Sequence, residues 1–303
     1  MRTLRQAVLV CAFCVASCGQ AVSQDFLGSF APKDTKQKKT APSAKAEQKK
    51  VVDLPDKPNK TDAQGRKQGE WGKKYPNGRF RYVATFKDGK PVGKVKRYYP
   101  NGHFSSILTY DANSDTCRLE TYHEQGGKIE SRGQYVNQKR EGEWSFYMQD
   151  GTLIERSTYH RGLLHGQQAI FYDDGHLLSI TTWVDSLRQG PVIKYFPSGA
   201  KMEEGTYQQD ELEGKYRTWG GDGKVTAEGQ YSRGVKVGKW HVRMADEDVE
   251  YDIIYDRYGL VQNRAEVDSI QNAIINRHEA LSGTIDDPEK YMDHPEDYVP
   301  FKK

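Results

Sequence analysis

The chain has 303 residues, with 45 Lys and Arg against 42 Asp and Glu and a net charge of +3. So even a balance gives no strong global pull toward nucleic acid. Of the four cysteines, Cys11, Cys14 and Cys18 crowd the N-terminus and leave only Cys117 downstream, so no internal disulfide framework is available.

Residues 1–23 combine a basic start (Arg2, Arg5), an apolar run from Ala7 to Ala16 and then small residues, the layout of a secretory signal. The run is about half the roughly 20 residues a membrane-spanning helix needs, and no later segment comes closer. Val15-Ala16-Ser17-Cys18 is similar to a bacterial lipobox, which would lipidate Cys18. Cleavage after Ala21-Val22-Ser23 stays open as the alternative, so the chain is read as exported, either free in the periplasm or lipid-anchored at the outer membrane. Residues 24–65 are rich in Lys and poor in apolar periodicity, as in KDTKQKKTAPSAKAEQKK. Such a segment cannot bury enough surface to fold and is expected to be a disordered basic tether with a reach of roughly 35 Å.

From residue 66 the sequence repeats. Gly69, Gly93, Cys117, Gly142, Gly166, Gly190, Gly214 and Gly238 follow one another at 24 residues, with one spacing of 25, the regularity of a repeat architecture. Nine residues past each of these anchors stands a second glycine (Gly78, Gly102, Gly126, Gly151, Gly175, Gly199, Gly223), replaced in the eighth unit by Glu247. These close PNG, QDG, DDG and PSG clusters, which mark tight turns. The segments between, such as WSFYM at 144–148, have strand composition, and each return segment ends on an aromatic: Phe86, Tyr110, Tyr135, Tyr159, Trp183, Tyr207, Tyr231 and Tyr255. The expected fold is all-β: an elongated single-layer antiparallel sheet of about eight tandem hairpins over residues 66–260. The extra residue of the third unit is assigned to the doubled Gly126-Gly127. Over 264–281, Val267, Ile270, Ile274, His278 and Leu281 recur at helical spacing, Asn263 and Glu266 resemble a capping box, and Gly283 is a plausible stop. Residues 261–283 are therefore expected to form a helix capping the last hairpin, with 284–303 as a tail.

The stretches YHRGLLHGQ (159–167), YQQDELEGKY (207–216) and YSRGVKVGKW (231–240), with the GEW at 69–71 and 142–144, resemble the MORN repeat in its bacterial variant form. The resemblance covers 66–260 and implies consecutive hairpins without catalytic residues, in proteins of the bacterial envelope, often antitoxins of the YwqK type, with scaffolding relatives in eukaryotes. Cys117, the glycine-poor turns near Asn113 and Ser186, and the whole eighth unit depart from the pattern.

Five positions past the anchor, Tyr98, Tyr122, Tyr147, Phe171, Tyr195 and Trp219 would line up as an aromatic ladder on one face. Cross-strand packing accounts for such a ladder, and exposed rings would equally serve a protein or carbohydrate ligand. His160, His165 and His176 lack metal-motif spacing, and no phosphate loop, nucleophile elbow or zinc motif is present. Cys117 reads as a sheltered thiol or, if exposed, an interchain link. The sequence thus points to a non-catalytic envelope scaffold without metal or cofactor, tethered through Cys18, that binds a protein or itself along a face or free edge. An antitoxin blocking one toxin and a carbohydrate or peptidoglycan binder are the other readings.

Overall fold

The computed structural model describes residues 58–111 and 115–282. The signal, Cys18, most of the tether, Asn113, Gly283 and the tail lie outside them. A two-residue strand, β1 (Lys60–Thr61), precedes eight hairpins. Unit 1 joins β2 (Lys67–Lys74) to β3 (Phe80–Lys87), unit 2 β4 (Lys90–Tyr98) to β5 (Phe104–Tyr110), and unit 3 β6 (Thr116–Tyr122) to β7 (Ile129–Val136). Unit 4 joins β8 (Lys139–Tyr147) to β9 (Leu153–His160), unit 5 β10 (Leu163–Phe171) to β11 (Leu177–Val184), and unit 6 β12 (Leu187–Tyr195) to β13 (Lys201–Gln208). Unit 7 has an interrupted outbound strand, β14 (Glu211–Leu212) and β15 (Gly214–Trp219), returning as β16 (Val225–Ser232). Unit 8 joins β17 (Val235–Met244) to β18 (Val249–Tyr255), and α1 (Arg264–Ser282) follows.

With β14 and β15 taken as one interrupted strand, each strand pairs antiparallel with the next in the chain, giving one open all-β meander of tandem hairpins with a C-terminal helix. Residues 58–65 are a correction to the tether's expected limit at 65, because β1 pairs with β2 (Lys60↔Gln68, Thr61↔Lys67). Asp62 accepts the backbone N–H of Gln64 and Arg66 and makes the turn between them.

The anchor glycines do not stand at turns. They sit inside the outbound strands, at φ between +66° and +106°, a region open to glycine without steric cost. From Gly93 on, each marks a bulge against the preceding unit. Between β7 and β8, for example, the register jumps from Gln134↔Glu141 to Arg132↔Ser145, which swings Trp144, two past the anchor, over Gly133. A Cβ on Gly133 would fall inside the Trp144 ring, and one on Gly229 inside Trp240; on Gly205 it would lie 2.8 Å from Tyr216. Elsewhere the same place pairs Val192 with Thr181 and Gln168 with Ser157. Large over small repeats along the sheet, and the filled space buries Trp144 and Trp240 to 1% exposure.

Six of the turns between units are two-residue turns with both central residues at positive φ, such as Asp88-Gly89, Asp185-Ser186 and Gln209-Asp210, the conformation whose twist matches flanking strands. Ser186 and Asp210 adopt it without glycine, and these turns hydrogen-bond the outbound strand of the unit before. Gly89 N–H donates to Lys67 C=O, Ser186 to Leu164, Asp210 to Arg188 and Gly234 to Leu212. Side chains just before the anchor complete the lacing: Gln68, Glu141, Gln189 and Glu213 accept the N–H of Asp88, Arg161, Gln209 and Arg233. The tip at Gly126-Gly127 is one residue longer than its neighbours, closed by His123 N–H to Lys128 C=O where unit 2 uses Tyr99 N–H to His103 C=O.

Helix α1 buries Val267 and Ile274. The expected capping box does not form. Asn263 Oδ1 instead accepts Ile254 N–H of β18 at 2.9 Å, while its Nδ2 donates to Asp252 C=O and to Glu266 Oε2. The sheet edge offers a backbone donor and acceptor in line with the carboxamide, and the side chain staples helix to sheet.

Candidate binding surface

The six residues five past the anchor occupy equivalent places, each opposite the residue that follows its turn: Tyr98 with Phe104, Tyr122 with Ile129, Tyr147 with Leu153, Phe171 with Leu177, Tyr195 with Lys201 and Trp219 with Val225. In units 2 to 4 these pairs interleave into a core of Phe104, Ile107, Tyr122, Ile129 and Tyr147, with Tyr98 and Leu153 against it. Tyr122 and Tyr147 are 2% and 5% exposed, so the middle of the row presents no ring to a ligand. Tyr98, Phe171, Tyr195 and Trp219 are half-buried, and Lys201 Nζ lies 5.1 Å over the Trp219 ring.

The next position along carries a different device. The hydroxyls of Tyr75, Tyr99 and Tyr172 donate to the carbonyls of Tyr98, Tyr122 and Tyr195 in the following unit, and His123 meets Tyr147 C=O in the same way. These rungs tie hairpin tips together on one rim, as the Glu and Gln bonds tie turns on the other.

Titratable groups pair locally. His160, His165, His176 and His241 lie 2.9–3.2 Å from Glu141, Asp185, Asp174 and Asp252, and among the described residues no three His, Cys, Asp or Glu gather closely enough to hold a metal ion. A shallow depression over units 7 and 8 is lined by Lys215, Arg217, Glu228, Lys239, His241 and Asp252. Its charges compensate one another, with Arg217 on Glu228 and both Lys239 and His241 on Asp252. Those two donors hold the Asp252 carboxyl below its ordinary range. The Cys117 thiol is buried, and burial pushes its pKa up, the reverse of what thiol reactivity requires.

Two surface regions stand apart from this background. Residues 66–97 carry eleven Lys and Arg against Glu70 and Asp88. Residues 163–186 carry no Lys, Arg or Glu at all, and there the rim between turns is apolar. Leu163, Val184 and Leu187 are 44%, 37% and 47% exposed. Val184 faces Leu187 across the turn, and Ser186 bonds both backbone groups of Leu164, which ties this turn to the strand that begins at Leu163. Sequence reading passed over this rim because it follows aromatics; the signal was the repeated Leu three residues before the anchors Gly166 and Gly190.

Fold and surface together define a repeat module of tandem β-hairpins. Residues 91–112, most of unit 2, match the model of the MORN repeat variant, which supports a MORN-type repeat for this chain. No curated protein matches the sequence. Among solved structures, the GtfA/B complex is 11% identical over 37% of this chain and 20% of that chain, with a TM-score of 0.23. The Photorhabdus luminescens Tc holotoxin pore with a TccC3 mutation is 12% identical over 68% and 14%, TM-score 0.17. TcdB2-TccC3-TEV is 13% identical over 68% and 14%, TM-score 0.19. The chain spans a fifth or less of those proteins, and likeness at these scores says nothing of its function.

Proposed function

We propose that this protein is a non-catalytic scaffold of the cell envelope that binds a protein partner through the apolar rim of units 5 and 6. The observation that supports it best is the Leu163, Val184 and Leu187 group. Exposed apolar side chains cluster there at the border of the stretch 163–186 that carries no Lys, Arg or Glu, with Asp185 and Arg188 beside them, and an apolar centre within a polar rim is the compositional mark of an interface. Export and tethering through Cys18 rest on the signal and lipobox patterns alone. An antitoxin would be a special case of the same surface, with a toxin as partner, whereas the glycan reading is weakened because Tyr122 and Tyr147 are inside.

The experiment is crosslinking and affinity purification of the full-length protein from envelope fractions, beside a Leu163→Glu, Leu187→Glu variant. Loss of one dominant companion from a variant that still folds supports the rim as the docking surface. Capture of the same companion at the same yield places the interface elsewhere, and purified sacculi retained by the protein in place of any companion would favour glycan.

A further inference from the structure

The first and last strands of an open sheet present unpaired N–H and C=O groups that template pairing with another chain. In this protein an asparagine side chain meets strand backbone groups near each end. On β18, Asn263 Oδ1 accepts Ile254 N–H and Nδ2 donates to Asp252 C=O, both at 2.9 Å, while Gln262 N–H donates to Ile254 C=O at 2.7 Å. These are the bonds a neighbouring strand would make. At the opposite end Asn59, just before β1, continues its pairing along β2: Asn59 N–H donates to Glu70 C=O at 2.9 Å and Asn59 Oδ1 accepts Gly72 N–H at 3.0 Å.

A carboxamide presents an acceptor oxygen beside a donor NH2 in the plane of its amide, so it reproduces the hydrogen bonding of a strand residue and then stops it. Behind Asn263 the helix is held at its far end as well. Glu247, in the place of the turn glycine of the other seven units, pairs with Arg277 at 3.5 Å and with His278. The eighth unit departs from the repeat where it builds this latch.

We infer that Asn263 is a strand mimic sealing the last strand, as Asn59 extends the cover of β2 past β1, and that removing the Asn263 seal turns β18 into a docking edge for a second copy of this chain. The occupant follows from the edge itself. β18 reads VEYDIIY, aromatic and β-branched at most positions, with Ile254 44% exposed beside the sealed groups. Two such edges meeting antiparallel about a two-fold axis satisfy each other's groups, whereas β1, the first strand of a second copy, is only two residues long. The inference goes beyond the rim reading and does not depend on it.

The test compares the full-length protein with Asn263→Ala, Asn263→Asp and Glu247→Ala by amide hydrogen exchange at Ile254 and by molar mass over a range of concentrations. All are made in the Leu163→Glu, Leu187→Glu background so that the apolar rim contributes nothing to the mass. Asn263→Ala is expected to speed Ile254 exchange roughly tenfold and to produce a concentration-dependent dimer. Asn263→Asp keeps the acceptor oxygen and should keep Ile254 protected, and Glu247→Ala should loosen the helix end while leaving Ile254 protected. Should Asn263→Ala fail to fold, Asn263→Ser, too short to span both groups, takes its place. Unchanged Ile254 exchange in the alanine variant overturns the seal, and faster exchange with the mass of a monomer at every concentration overturns the docking edge.

Discussion

The junction between units 3 and 4 and the junction between units 2 and 3 solve one problem in two ways. At the first, Gly142 at φ +68° opens a bulge, Trp144 drops over Gly133, and its Nε1–H reaches Gln134 C=O at 3.2 Å. At the second, Cys117 replaces the glycine, the ladder runs without interruption from Ser106↔Thr121 to Tyr110↔Cys117, and Leu108 faces Leu119. Anchor glycine, bulge, large side chain and small partner therefore come as a set. Where the glycine is absent the strands pair straight, and two residues of equal size share the space that Trp and Gly divide elsewhere.

The largest effects should appear where that set is broken from inside. Trp144→Ala is expected to cost about 3–5 kcal/mol in urea unfolding, the range for an aromatic removed from a packed core. Leu119→Ala, half-buried in the straight ladder, should cost less. Gly133→Ala forces its methyl into the indole and should cost about 1–3 kcal/mol by overpacking. Combining Gly133→Ala with Trp144→Leu, which imitates the Leu pair, should cost less than the two single changes summed, since residues in contact couple. Simple additivity in that cycle would show that the two sizes are not matched to each other.

A smaller pair of changes tests the anchor itself. Gly142→Ala meets no atom within 4 Å of its new Cβ, so its expected cost of about 1–2 kcal/mol comes from the left-handed backbone alone. Cys117→Gly restores the repeat pattern and should nonetheless destabilise, by about 0.5–1 kcal/mol of backbone entropy in addition to the lost buried thiol. A neutral or stabilising Cys117→Gly would mean that the bulge forms there too. The thiol offers its own reading of the same point: buried and shifted up, it should resist Ellman's reagent in the folded protein and react on unfolding, whereas a bulged, opened strand would let it react natively.

Much of this was legible in the sequence because its signals were periodic. The 24-residue spacing, the turn glycines, the terminal aromatics and the helical face from Val267 to Ile274 each name an element without reference to any other. The pairs across units were not legible, because Trp144 over Gly133 or Tyr216 over Gly205 depends on a register that a bulge shifts. For the same reason the row through Tyr98, Tyr122 and Tyr147 reads as a surface in the sequence. Its burial comes from Phe104, Ile129 and Leu153 interleaving with it, residues that belong to the return strands. Asn263 was recognised as a helix start; that its side chain serves the sheet edge depends on where β18 ends relative to the helix.

The smallest expected effect separates the regular junctions from the straight one by pH. Glu141, just before its anchor, accepts Arg161 N–H of the next turn at 2.8 Å and lies 2.9 Å from His160; those hydrogen bonds, the backbone one foremost, hold its carboxyl below the ordinary value of 4.5. In unit 3 the equivalent residue is Thr116, which cannot ionise. A carboxylate whose folded pKa is depressed stabilises the fold above its unfolded pKa, and that stabilisation is lost as pH falls from 4.5 through the folded value. Gln68 and Gln189 make the same bond in units 1 and 6 without a charge. Glu141→Gln should therefore retain stability near neutral pH and flatten its fall below pH 4.5, read as the unfolding midpoint in urea against pH. Thr116→Val should leave that pH dependence unaltered. An acid limb equally steep in Glu141→Gln and the parent would mean that the turn is held by its backbone bonds alone, and that the Glu and Gln before the anchors are not what laces one unit to the next.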